Sequence, residues 1–242
     1  SYIPYGGGLY VGSSATATVN NSTFYGNSCR SASWTVGGAI GSEGTLTITN
    51  STITNNTLES TNSNYQCIGA GIGNLTNGIT ISHCTVTNNN IINGANSGAG
   101  VAGWQSGAFN VDNSIIEGNT FKGSTASDIK MGQGAVRTSQ GYNLFGTVVD
   151  GYTTVATDIV GQSALLGDYA FNGGATNNYA IGCNSPAYKA GNPASAGTIS
   201  QNGVTRGALA DIGASAWTGT LPTVAANTTA NTCYGDSTGS AE

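Results

Sequence analysis

GGAIGSEGTLTITNSTITNNT, residues 37–57, is the stretch whose reading decides the fold. Its middle alternates. Across residues 45–49, Leu46 and Ile48 fall on one side and Thr45, Thr47 and Thr49 on the other, the period-two pattern of a half-buried strand. β-Branched residues suit such a pleated surface. Glycine and asparagine supply the bends, because both tolerate turn conformations that other residues resist. The stretch therefore reads as short strands joined by sharp corners.

The same two motifs recur along the chain. GGGLYV (6–11), GGAIGS (37–42), GAGIGN (69–74) and GAGVAG (98–103) place Leu9, Ile40, Ile72 and Val101 at intervals of 31, 32 and 29 residues. TATVNNSTFYGN, TLTITNSTITNN, GITISHCTVTNN and AFNVDNSIIEGN follow them, with Phe24, Ile53, Val86 and Ile116 spaced by 29, 33 and 30. Two motifs drifting around one period are the mark of a repeat architecture. One unit is too small to bury its apolar face alone, so the units must stack, at roughly 4.8 Å per layer.

Stacking turns aligned residues into columns. Ala17, Leu46, Ile79 and Phe109 form one interior ladder, Val19, Ile48, Ile81 and Val111 another, and Phe24, Ile53, Val86 and Ile116 a third. Asn27, Asn56, Asn89 and Asn119 form an asparagine ladder at a turn, where amides bond the layers above and below. Ser22, Ser51, Cys84 and Ser114 make a small-residue column, which predicts a buried free thiol at Cys84. The expected fold is all-β: a right-handed parallel β-helix, the hand following the general rule for parallel connections. Residues 1–146 hold coils of about 28–33 residues. The period breaks in residues 147–217, read as irregular C-terminal coils and a cap. Residues 218–242 form a tail, with TVAANTT as a candidate exchanged strand.

The glycine-rich and aromatic–asparagine motifs, GGAI followed by FYGN or ITNN, resemble the repeats of polymorphic outer-membrane proteins and of pectate-lyase-like solenoids. The resemblance covers about residues 6–146. Beyond it, GYNLFG (141–146), DIVGQSALLGDYAFNGGATNNYAI (158–181), NSPAYKAGNP (184–193) and ADIGASAW (210–217) resemble the C-terminal part of exported choice-of-anchor Q proteins. Lys189 stands where that group commonly carries an acid, and QNGVTRG lacks its aspartate. The resemblance implies an exported surface protein and no particular activity.

Composition narrows the function further. Charged residues are 7% of the chain, against roughly 25% in ordinary soluble domains. Six Lys and Arg in 242 residues argue against a nucleic-acid partner. No apolar run approaches the roughly 18–20 residues of a membrane-spanning helix. Five cysteines without C-x-x-C spacing and a single histidine argue against a zinc site. Cys29 and Cys67 fall in long connections of neighbouring coils and are expected to bridge. Cys183 and Cys233 are expected to tie the tail to the body. Disulfides would fit an oxidising compartment.

Catalytic signals are sparse. A polysaccharide lyase needs a carboxylate cluster for Ca²⁺ and a basic residue; a glycosidase needs paired carboxylates across a cleft. Glu43, Glu59, Asp112, Glu117 and Asp128 instead scatter over different units, and Lys122 and Lys130 read as surface charges. His83 aligns with Asn21, Asn50 and Asn113, which marks a turn residue rather than a general base. No catalytic residue, metal or cofactor is expected. The outward row Thr18, Thr47, Thr80 breaks at Asn110, too short for a regular ice-binding array. Tyr2, Tyr5, Tyr10, Tyr25, Trp34 and Tyr65 lie outside the interior columns and read as loop aromatics, with a sugar-binding platform or a protein interface as the alternatives. Asn20, Asn21, Asn50, Asn55, Asn74 and Asn227 begin Asn-x-Ser/Thr triplets, candidate glycosylation acceptors where exposed.

These readings converge on a non-enzymatic structural or adhesive β-helix, extracellular or at the cell surface. The first glycine motif begins at Gly6, so the first coil is expected to need a cover. Copies of the chain stacked head to tail would supply it and grow a filament; a surface-protein fragment is the plainer reading. The competing function is a carbohydrate-active enzyme or a polysaccharide-binding module, with a host or matrix polysaccharide as partner.

Overall fold

The computed structural model describes residues 3–76, 78–105, 107–132, 137–148 and 151–219. They form a parallel β-solenoid. One wall stacks Leu9–Val11, Ile40–Ser42, Ile72–Asn74, Val101–Gly103 and Ile129–Met131. A second stacks Thr16–Asn20, Thr45–Thr49, Ile79–Ser82 and Phe109–Asp112. A third runs from Thr23–Tyr25 through Thr52–Thr54, Thr85–Thr87, Ile115–Glu117 and Leu144–Phe145 to Ile159–Val160. Every pair within these walls is parallel, and the register joins Ala17 to Leu46, Leu46 to Ile79 and Ile79 to Phe109. Phe24, Ile53, Val86 and Ile116 stack likewise, continued by Phe145.

The repeated glycines and asparagines sit where the backbone turns left-handed. Asn21, Asn50, His83 and Asn113 all have φ between 45° and 51° and form one corner column. Gly26, Asn55, Asn88 and Gly118 form a second, and Gly6, Gly37, Gly69 and Gly98 a third. Glycine and asparagine adopt this region at least cost, which explains the stutter of the sequence. Close approach adds a second demand. A Cβ on Gly38 would overlap the carbonyl oxygens of Ala70 and Thr57, where adjacent coils meet.

The asparagine column bonds in series. Asn27 Nδ2 donates to Asn56 Oδ1 at 2.9 Å, Asn56 Nδ2 to Asn89 Oδ1 at 2.8 Å, and Asn89 Nδ2 to Asn119 Oδ1 at 2.8 Å. Asp128 closes the ladder by accepting from Asn119 N and Nδ2, both at 2.8 Å. The serine column works similarly: Ser22 N donates to Ser51 Oγ and Cys84 N to Ser114 Oγ, each at 3.1 Å. Buried backbone amides thus find partners without a continuous sheet at the corners.

Two outer sheets widen each coil. Ser28–Ser31, Thr57–Ser60, Asn90–Asn93 and Thr120–Phe121 form one; Thr35–Val36, Gln66–Ile68 and Ala95–Asn96 form the other. They enclose a small core containing Cys29, Leu58, Cys67, Ala70, Ile91 and Ala99. Cys29 and Cys67 both carry free thiols, so the expected bridge is not formed. Each sulfur holds its own place in a stack. Cys29 pairs with Leu58 of the next coil, while Cys67 pairs with Thr35 and donates through Sγ to Asn93 O at 3.1 Å. The Cys183–Cys233 expectation and the tail strand involve residues outside the described part.

After Val160 the chain leaves the stack and runs back along the third wall as a strap. Leu166–Ala170 and Asn178–Ile181 form an antiparallel hairpin. Thr54 Oγ1 bonds Tyr179 Oη at 2.9 Å, Thr52 Oγ1 donates to Gln201 Oε1 at 2.6 Å, and Ala214 N donates to Thr85 Oγ1 at 3.1 Å. The strap buries threonines of the third wall that would otherwise face solvent. Ile115, Leu144, Ala164, Ile181, Ala187 and Ile212 form the apolar seam between wall and strap.

The two ends of the solenoid differ. In the first coil Leu9, Ala17, Val19 and Phe24 are only partly buried, whereas Ile40, Leu46, Ile48 and Ile53 one layer on are at 0% exposure. At the far end Tyr152 lies edge-to-face against Phe109 and Phe145, leaving Ile129, Met131 and Phe145 buried. Val160, the last residue of the third-wall column, is exposed.

Candidate functional site

The lone histidine marks the junction of wall and strap. His83 occupies the corner column between strands Ile79–Ser82 and Thr85–Thr87, with φ 51°. Its Nδ1 lies 2.9 Å from Ser82 Oγ and its Nε2 2.9 Å from Ser195 Oγ on the strap. Ser82 Oγ donates to Asp112 Oδ2 at 2.8 Å, so its lone pairs face the ring. The chain of bonds is then fixed: Nδ1–H donates to Ser82, and Ser195 Oγ–H donates to Nε2. Burial, with the Arg206 guanidinium nearby, pushes the His83 pKa down to about 4 against the pull of Asp112, so the ring stays neutral at ordinary pH.

This order of groups is the order of a nucleophile and its base, but the surroundings differ. Ser195 is buried, and the backbone amides of Ser195 and Ala196 are spent on Asn192 O and Pro193 O. Neither of these two amides is free to receive a developing oxyanion. The relay joins the wall to the strap at this corner.

Arg206 completes the junction. It is 2% exposed and donates to Asn50 Oδ1, Gly213 O and Ala214 O, at 3.2, 2.8 and 3.2 Å. Its Nε has no acceptor. Gln201 stitches the strap to the first two coils through Ser22 O, Thr23 Oγ1 and Thr52 Oγ1. Ser195, Gln201 and the role of Arg206 were not legible in the sequence, since their partners on the wall lie 112 to 179 residues away without periodicity.

The scattered acids do not assemble into one site. Glu43 accepts from Tyr5 and Tyr10 hydroxyls at 2.8 and 2.6 Å. Glu59 pairs with the exposed Arg30 at 2.7 Å. Asp112 stands over Ser82, and Glu117 over Thr87, as the sequence alignment places them. Asp128 is buried at the end of the asparagine ladder, and desolvation lifts its pKa to about 6 despite its amide donors. Lys122 lies exposed, 5.2 Å from the Phe121 ring centroid, and Lys130 is half-buried on the first wall. Among the described residues no group of three His, Cys, Asp or Glu could hold a metal ion, and no helix is long and apolar enough to cross a membrane.

The other singled-out residues have definite places. Cys84 is fully buried, its pKa pushed up to about 12 by desolvation, and its Sγ lies against Ser82 O and Ile48 O. Of the glycosylation candidates, Asn20, Asn21 and Asn55 are exposed, Asn50 is engaged by Arg206 and Asn74 is buried; Asn227 lies outside the described residues, as does Tyr2. Tyr25 stacks on Tyr169 of the strap at 4.9 Å, and Trp34 meets Trp104 at 5.1 Å. Tyr65 is exposed.

The open cleft lies at the end of the strap. Tyr188, Lys189, Val204, Leu209, Asp211 and Trp217 line about 310 Å³ there. No family model, curated protein or solved structure matches the chain; function must be argued from the geometry.

Proposed function

We propose that the chain is a structural or adhesive β-helix, without enzymatic activity, that works outside the cell or at its surface and joins other copies through its first coil. The observation that carries this is the only partly buried interior of that coil beside the fully buried layer above it. Leu9–Val11, Thr16–Asn20 and Thr23–Tyr25 are each the outermost strand of their wall among the described residues. An unpaired edge is a template for further pairing. What matches three parallel edges at this spacing is another coil of the same kind. A head-to-tail contact alone continues the ladders in the parallel sense, and the exposed Val160 marks the far end of one of them.

Other features support an inert wall. The side chains of Asp112 and Asp128 are committed to Ser82, Asn113, Asn119 and Thr147, which leaves little for acid–base chemistry. The resemblance to polymorphic outer-membrane and choice-of-anchor Q repeats supports export. Sedimentation and negative-stain microscopy over a range of concentrations test the reading. Rods that lengthen with concentration, and that shorten to single units in an Ala17→Lys, Val19→Lys double variant, are expected. Single rods at every concentration would overturn it, and so would dimers that stop at two.

A further inference from the structure

The strap-end cleft has no part in the assembly just described. Its floor is apolar and aromatic. The rings of Tyr188 and Trp217 meet edge to face with centroids 5.1 Å apart, and Val204 and the exposed Leu209 extend the apolar surface. Asp211 braces the floor. Its Oδ1 accepts from Lys189 N at 2.7 Å and its Oδ2 from Trp217 N at 2.8 Å, while the buried Arg206 lies within electrostatic reach. That carboxylate is a fixed part of the backbone scaffold, with a cation behind it.

Lys189 is different. Its backbone sits in the left-handed region at φ 56°, and its Nζ lies over the Tyr188 ring, 4.8 Å from the centroid. It lines the cleft, is exposed and has no carboxylate partner among the described residues. A cleft with an aromatic floor and one unneutralised ammonium at its edge selects for an apolar body and a single negative charge. Its volume lies at the small end of ligand pockets, which run from about 300 to 1,000 Å³.

We propose that this cleft binds a small apolar carboxylic acid, an aryl or branched-alkyl group carrying one carboxylate, with Lys189 as the charge-selecting residue. The apolar body rests against Trp217 and Leu209, and the carboxylate meets the Lys189 ammonium. A neutral sugar fits less well, because it has no carboxylate for the Lys189 ammonium and would set its hydroxyls against the apolar surface of Val204 and Leu209, with the Asp211 oxygens already engaged.

The test uses the chain as it is, labelled with ¹⁵N, and follows the indole N–H of Trp217. That signal is distinguished from those of Trp34 and Trp104 by a Trp217→Phe variant. Phenylacetate is the probe, phenylacetamide its uncharged twin and glucuronate the sugar acid. Phenylacetate is expected to shift the Trp217 signal saturably, with an affinity on the order of millimolar. Phenylacetamide should bind at least about tenfold more weakly, a ratio that corresponds to one charge-assisted contact. Lys189→Gln, a change at an exposed side chain, should remove that difference and leave the rest of the spectrum unchanged. Equal binding of the amide would overturn the proposal. So would a Trp217 signal unmoved by phenylacetate, or tighter binding of glucuronate, which would make this a sugar site.

Discussion

Asn89 holds three layers together with one side chain. Its Nδ2 donates to Ile53 O, Thr87 O and Asn119 Oδ1, and its Oδ1 accepts from Asn56 N and Nδ2. Asn89→Ala would take the acceptor from the buried Asn56 N and a donor from each of Ile53 O and Thr87 O, and each group left unpaired costs about 1–3 kcal/mol. Several are released at once, so a loss of at least about 3 kcal/mol is expected, read as a lowered urea midpoint with unchanged slope. Asn89 is also the residue whose role reads most directly from sequence, because its column repeats four times at the coil period. Cys84 shares that legibility. Buried and with its thiol held protonated, it should ignore a thiol reagent in the folded chain and react only on unfolding. Cys29 and Cys67 are buried too, so all three thiols should appear together in a denaturant titration monitored with that reagent. The Cys29–Cys67 bridge was misread because loop proximity between coils does not specify which way two side chains point.

At the scale of elements, the strap is a separate layer laid over a regular wall. The wall was readable because hydrophobic periodicity reports local geometry; the strap was not, because its contacts with Ser22, Asn50, Thr52 and His83 follow no period. Two buried groups of opposite sign, His83 against the strap and Asp128 at the end of the asparagine ladder, enter the pH response. His83 has a folded pKa near 4, below the usual 6.5. The unfolded chain therefore binds a proton between those values that the folded chain refuses. Stability from neutral His83 is complete above about pH 6.5 and is lost as the pH falls towards 4. Asp128 has the opposite sign. Its folded pKa near 6 lies above the usual 3.8, so stability falls as the pH rises from about 4 to 6. These two slopes oppose each other over nearly the same window, while burial also raises the Glu117 carboxyl and adds to the fall on the Asp128 side. His83→Asn keeps a residue suited to the left-handed corner but removes the titration. Its urea midpoint should then decline from about pH 4 to about pH 6 more steeply than that of the parent, in which the His83 slope offsets part of the fall. A parallel decline in both proteins would refute the balance.

The whole molecule is a stack in which each coil leans on its neighbours, and such stacks lose order from their weakest end. The described ends are unequal. Tyr152 closes the far coil, while Leu9, Ala17, Val19 and Phe24 are only partly buried. The strap modifies this gradient, because Gln201 and Thr176 reach the first coil at Ser22, Thr23 and Asn21. Among the described residues the strap therefore fastens that coil along its third wall. Hydrogen exchange should show it. In dilute solution, amides of Leu9–Val11 and Thr16–Asn20 should exchange fastest among the wall strands, those of Thr23–Tyr25 more slowly, and those of Ile40–Ser42 and Ile79–Ser82 slowest of all. Gln201→Ala should bring Thr23–Tyr25 up to the rate of its neighbours without touching the third coil. If copies stack on the first coil, raising the protein concentration should slow exchange in Leu9–Val11 and Thr16–Asn20 selectively, because these are the outermost strands of their walls among the described residues. Protection that is uniform along the chain, or independent of concentration, would mean that the first coil meets no second copy.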